Sequence, residues 1–322
     1  FVGKYNFNND KSTAETFGFS DGDESWEFSN NTSDRCLFKS ADFSGTDWTN
    51  DFESRYPDDD AINAEYEAGT RKPEKLMAVT SWVVSTKDNL DKFKNEVRNH
   101  FNLDNLIAYY LITELFGMVD QRAKNMFLTY FHEEGKWIFI FYDNDTCFGL
   151  NNEGLIAFGY NIEYHDKIGT LNVWNGESSV LWNNLEKCFP SEIEAMYKDI
   201  RTRGLLSYDL IMSVLNGEQS DKWCEAIYNA DGRFKYIDPL IEEGNGSYLY
   251  AAQGSRIENR KWWTYNRFLY IDSKYTAGSF LSDFATLRLY TPREWTGVSP
   301  SANMTIIPYA DQYTRVKYGS YM

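Results

Sequence analysis

The chain is poor in the residues from which many enzymes build their sites. Cysteine occurs only at 36, 147, 188 and 224, and no pair has the C-x-x-C spacing of a zinc or redox site. Three histidines, His100, His132 and His165, are scattered along the sequence, so nothing supports a histidine-based zinc centre or a Ser-His-Asp triad. Buried thiols and incidental imidazoles are the expectation. No apolar run approaches the roughly 20 residues that a membrane-spanning helix needs, and there is no internal repeat or low-complexity segment. Positive charge is also short. Lys and Arg number 32 against 48 Asp and Glu, a net charge of −16. A surface that acidic repels phosphate backbones and argues against a nucleic-acid partner. The chain opens at Phe1 without an initiator Met or a visible signal peptide, and it reads as a piece of a longer protein or a processed product.

What is present belongs to a globular protein: 42% of residues are hydrophobic and 25% charged. The length suits one large domain or two ordinary ones. Aromatic residues reach 17%, which suggests adhesive surfaces as well as a core. Residues 1–10 read as a strand on Val2, Tyr5 and Phe7. Residues 18–47 read as short strands such as SWEF and CLFK separated by polar loops. Asp58, Asp59 and Asp60 lack the glycine and distal glutamate of an EF-hand loop and read as a solvated turn. Apolar spacing at three and four then predicts helices over 74–85, 88–100 and 103–116, the last with Asn102 as N-cap and Gly117 at its C-terminal end. The period switches to two at Asn125–Phe131 and Trp137–Tyr142, with a turn at 132–136, which predicts a β-hairpin. After a Gly/Asn-rich loop (149–176), Ser191-Glu-Ile-Glu194 reads as a capping box opening a helix to about Arg203. Further helices are expected at 207–215, 220–229 and 255–275. Strand patterns follow at 286–290, 304–307 and 313–318 and read as a small β appendage.

The chemistry-bearing residues lie on either side of the hairpin. A long apolar helix delivers the chain to Asp120, Asn125 follows five residues on, and the hairpin's second strand ends at Asp143. The hairpin returns the chain, so Asp120, Asn125 and Asp143 can meet at one of its ends. Phosphoryl transfer uses such a set: one carboxylate orients the attacking hydroxyl, and an amide and a second acid offer the hard oxygen ligands that Mg²⁺ accepts. The order and first spacing are those of the catalytic-loop Asp, the Asn after it and the hairpin-ending Asp of eukaryotic-type kinases. Arg122 is placed to meet a γ-phosphate, as a Lys does in those enzymes. In the competing reading, Asp120 and Asn125 are loop caps and Asp143 merely ends a strand.

These residues carry a family resemblance. Asp120, the strand Asn125-Met-Phe-Leu-Thr-Tyr130, Trp137 and the run Asp143-Asn-Asp145 with Phe148-Gly149 resemble the CotH (spore coat protein H) kinase family. The opening Phe1-Val-Gly-Lys-Tyr-Asn-Phe7 resembles that family's Gly-x-Tyr strand. The resemblance implies an α+β, atypical protein-kinase-like fold over residues 1–275. In it, 1–70 would be a truncated N-lobe, 71–275 a mostly helical C-lobe holding the hairpin 125–142, and 276–322 the β appendage. It implies Asp120 as the catalytic carboxylate, Asn125 and Asp143 as metal ligands and Asp145 as a supporting acid at the metal. ATP and Mg²⁺ would be the cofactors and Ser/Thr of a coat or surface protein the substrate. The family's nucleotide-covering loop and strand lysine precede the Gly-x-Tyr strand, so the resemblance implies that half of the nucleotide site would come from a preceding segment or from another chain, or that the domain is silent. A second likeness links Gly254–Phe268, Asp272–Tyr275 and Pro308–Tyr318 to large structural proteins of gut bacteriophages. It implies a catalytically silent assembly module whose partners are subunits of a virion, coat or surface assembly. On a helix, Arg256, Arg260, Trp263, Arg267 and Tyr270 share one face, either a docking surface or a packed face with snorkelled Arg stems. A carbohydrate-binding module is a third class, which no particular residue selects.

Overall fold

The computed structural model describes residues 12–144, 146–150, 158–163, 167–168, 171–172, 175–207, 210–211, 256–276, 286–290, 304–308 and 313–318. The strand expected at 1–10, the helix at 220–229, most of the one at 207–215, and Asp145, His165 and Cys224 lie outside them. The chain forms two compact units, one of Phe1–Glu114, Met118–Asn144 and Glu163–Ile193, the other of Leu115–Gly117, Asp145–Ile162 and Glu194–Met322.

The first unit is built on a four-stranded antiparallel sheet of β1 (Glu24–Phe28), β2 (Phe52–Tyr56), β3 (Met126–Phe131) and β4 (Lys136–Phe141), in the order β2-β1-β3-β4. The expected hairpin is β3–β4, with Met126 opposite Phe141 and Phe131 opposite Lys136. It does not stand alone in a helical lobe. β1 pairs along its whole length with β3, Glu24 opposite Tyr130 and Phe28 opposite Met126, and so joins the early strands to the hairpin. Trp26, Phe28, Met126, Leu128 and Phe139 share one face by this register and are all buried. On the other face Ser25 and Thr129 hydrogen-bond each other at 2.8 Å, also buried.

The helices match their periodicity. After the single-turn α1 (Ala14–Phe17) and α2 (Asp60–Glu67) come α3 (Glu74–Ser85), α4 (Leu90–His100) and α5 (Leu103–Phe116). α3 buries Leu76, Val79, Trp82 and Val83, and α4 buries Phe93 and Val97. Asn102 caps α5 by accepting from the Asn105 amide at 3.1 Å, and Gly117 takes the left-handed backbone (φ 57°) that ends it. α6 (Val180–Cys188) and α7 (Pro190–Thr202) follow the short β5 (Lys167–Ile168) and β6 (Leu171–Asn172).

Three local expectations are corrected. CLFK is not a strand: residues 34–38 turn, with Phe38 at φ 53°. The acidic run is a helix start, since the Asp59 carboxylate accepts from the amides of Ala61 and Ile62 and caps α2. α7 begins at Pro190, inside its first turn, so Ser191 is a helical residue and not the cap. Among the described residues, many aromatic rings pack on one another in the interior. Tyr109, Phe139 and Trp182 pack with centroids 5.0–5.7 Å apart, and no Phe, Tyr or Trp of described burial is exposed, whereas Leu90, Leu205, Leu210 and Leu269 are.

In the second unit α8 (Arg256–Thr276) buries Trp263, Phe268 and Ile271, and β7 (Thr286–Tyr290), β8 (Met304–Pro308) and β9 (Tyr313–Tyr318) form a sheet in the order β7-β9-β8. Trp263 Nε1 donates to the Phe158 carbonyl at 2.9 Å. The buried Arg267 donates to the carbonyls of Tyr160 and Ile162 at 2.9 and 2.6 Å. At Trp263 and Arg267 this face is therefore packed and is not a docking surface.

Candidate functional site

The segment between α5 and β3 has too few apolar positions to form an element, and its polar side chains turn inward. Asp120 is 4% exposed and Asn125 9%. Asn125 sits at φ 51°, a left-handed conformation that Asn tolerates better than most residues, and its amide donates to the Phe28 carbonyl at the end of β1 at 3.0 Å. That anchor turns its side chain to Asp120, where Nδ2 donates to Oδ2 at 3.0 Å. The other carboxylate oxygen, Oδ1, accepts from Asn175 Nδ2, and Asn175 Oδ1 accepts in turn from Asn31 Nδ2 at 2.7 Å. A chain of amides thus grips the acid on both oxygens.

Asn175 is delivered by its own backbone, whose amide donates to the Val119 carbonyl at 2.7 Å. The next residue, Gly176 (φ 89°), passes so close to the Arg122 carbonyl that any Cβ would collide with it. Trp182 Nε1 donates to that same carbonyl at 2.9 Å. These amides were not among the residues singled out from the sequence. Asn175 stands in an aperiodic Gly/Asn-rich loop and Asn31 follows β1, so only a long-range contact reveals them.

Asp143 is exposed and has φ 51°. Its carbonyl accepts from Gln121 Nε2 at 2.8 Å, which ties the end of β4 to the residue after Asp120. Gln121 is itself held by Tyr109, whose hydroxyl donates to the Gln121 carbonyl at 2.7 Å. Burial pushes the Tyr109 phenol far above its usual range, so it serves as a neutral donor. The structure thus places Asp120 and Asn125 in direct contact and links Asp143 to them through Gln121. Asp145 is outside the described residues. Among the described residues no three His, Cys, Asp or Glu side chains gather as a metal cluster.

Arg122 departs from the expected role. It is fully buried, with Nη2 3.1 Å from Glu114 Oε2 and 3.0 Å from the Tyr110 carbonyl, Nε 3.0 Å from Thr113 Oγ1, and the guanidinium 4.2 Å above the Tyr110 ring. Its charge is committed to α5 and does not face a phosphate. Cys36 is buried, and that burial pushes its pKa up to about 12.

A family model described as CotH kinase protein matches residues 9–208, a span that includes Asp120, Arg122, Asn125, Asp143 and Asp145. No curated protein matches the chain. The match takes in the four-stranded sheet, α2–α7 and the segment that holds Asp120 against Asn125, and it covers more than half of the sequence: this chain belongs to the CotH kinase family.

Proposed function

We propose that this domain transfers the γ-phosphoryl group of ATP to Ser or Thr hydroxyls of a coat or surface protein. The observation that carries the reading is the buried Asp120 carboxylate held at 3.0 Å by the Asn125 amide, five residues on, at the mouth of the sheet. In this reading Asp120 accepts a hydrogen bond from the attacking hydroxyl and takes its proton at a carboxylate oxygen. Asn125 and Asn175 orient that carboxylate, so little reorganisation is needed when the hydroxyl arrives.

The donor set suits Mg²⁺, since carboxylate and amide oxygens are the hard ligands it accepts. Asn125 commits its Nδ2 to Asp120, which leaves its oxygen as the atom for a cation. Asn125, the exposed Asp143 and, from the sequence, Asp145 would hold the ion, and bound Mg²⁺ would neutralise charge on the phosphate oxygens. Arg122 is reassigned from phosphate contact to positioning. Its backbone carbonyl is gripped by Trp182 and its side chain by Glu114, which fixes the segment on which Asp120 stands.

Incubating the full chain with γ-labelled ATP and Mg²⁺ or Mn²⁺, with an added Ser/Thr-rich acceptor protein, tests the reading. Label should be transferred, and Asp120→Ala should lower the rate by about 10²–10⁴-fold while circular dichroism stays unchanged. Asp143→Ala should label at background. If it labels as well as the parent chain, the assignment is wrong.

A further inference from the structure

A cleft of about 210 Å³ in the first unit lies away from Asp120, along β2. Among the described residues β2 is an edge strand, paired only with β1. Among the described residues its outer backbone edge makes no further backbone hydrogen bond. Edges of this kind accept an added strand unless something blocks them.

The cleft has an aromatic floor and an acidic rim. Trp26, Trp48 and Tyr66 form the floor, each at least nine-tenths buried, with centroids 5.4–6.1 Å apart. The rings pack on one another, so the floor is closed and firm. Trp48 Nε1 is buried there without an acceptor among the described residues. The rim carries Glu53, Asp58 and Glu67, all exposed. The cation in the lining, Arg55, is already spent: its Nε lies 2.7 Å from Glu27 Oε2 and it also pairs with Glu53. Glu53 is thus paired, whereas Asp58 and Glu67 leave the rim with net negative charge beside the outer edge of β2, on a chain whose net charge is −16. That charge disfavours a second copy of the same chain as the occupant.

We propose that this edge is a docking site for an extended, Lys- or Arg-bearing segment of a partner polypeptide. The segment adds to β2 as a fifth strand and seats a cationic side chain among Glu53, Asp58 and Glu67, with its apolar stem over the aromatic floor. The site is separate from the acid at 120 and does not depend on phosphoryl transfer.

The test is fluorescence anisotropy with the full chain and a short labelled peptide in which Lys alternates with Val and Thr. The peptide should bind, and more weakly as salt rises. The triple variant Glu53→Gln, Asp58→Asn, Glu67→Gln, all at exposed positions, should bind about tenfold more weakly with an unchanged melting temperature. A peptide with Glu in place of Lys should not bind. A Lys peptide N-methylated at alternate residues keeps its charge but cannot extend a sheet, and it should lose binding. Absence of binding by the Lys peptide, full affinity in the triple variant, or indifference to N-methylation would each overturn the proposal. So would salt-insensitive self-association of the chain that competes with the peptide.

Discussion

Asp120 and Arg122 stand two positions apart and meet different surroundings. The acid is gripped by amides at the mouth of the sheet, and the guanidinium lies fully buried against Glu114, Thr113 and Tyr110. Spacing along the chain locates both residues but does not say which way each side chain turns in a segment without periodicity. The buried pair makes a prediction. Arg122→Met strands the Glu114 carboxylate in the interior and should cost about 3–5 kcal/mol of stability. Adding Glu114→Leu removes the stranded charge and should recover part of the loss. Urea unfolding of the parent, the single and the double variants measures both effects. A single variant within about 1 kcal/mol of the parent would show that the pair is not the anchor described above.

Helices α3, α4 and α5 and the hairpin β3–β4 were legible because their signals are local: apolar residues at three and four, then alternation about a turn. α2 was not, because its eight residues carry a weak apolar pattern and its opening run Asp58–Asp60 looks like any solvated acidic turn. The run acts through its middle residue. Asp59→Ala should cost about 1 kcal/mol, read as a lowered urea midpoint, because the amides of Ala61 and Ile62 lose their acceptor. Asp58 caps nothing in α2, and Asp58→Ala should stay within about 0.5 kcal/mol of the parent. Equal effects of the two changes would contradict the cap. The β1–β3 pairing was equally hidden. Its partners lie about a hundred residues apart, and the Ser25–Thr129 hydrogen bond leaves no mark in either local pattern.

Across the entire chain, the charge is the most direct reading. With a net charge of −16, labelled duplex DNA at low salt should show no anisotropy change on titration with the protein. A salt-sensitive binding curve would reveal a basic patch that the total conceals. The aromatic load does supply a core: among residues of described burial, Trp26, Trp48, Trp182 and Trp263 are fully buried, while others such as Tyr130 and Tyr142 are half-buried. Composition counts rings but cannot say where they pack. The same limit explains the site. Residue order sufficed for the family, the α+β class, the hairpin and the order Asp120–Asn125–Asp143, because these rest on nearest neighbours in the chain and on side-chain type. The grip of Asn175 and Asn31 on the acid, the burial of Arg122 and the open edge of β2 emerged only on folding, because each depends on contacts between segments far apart in sequence that no local periodicity encodes.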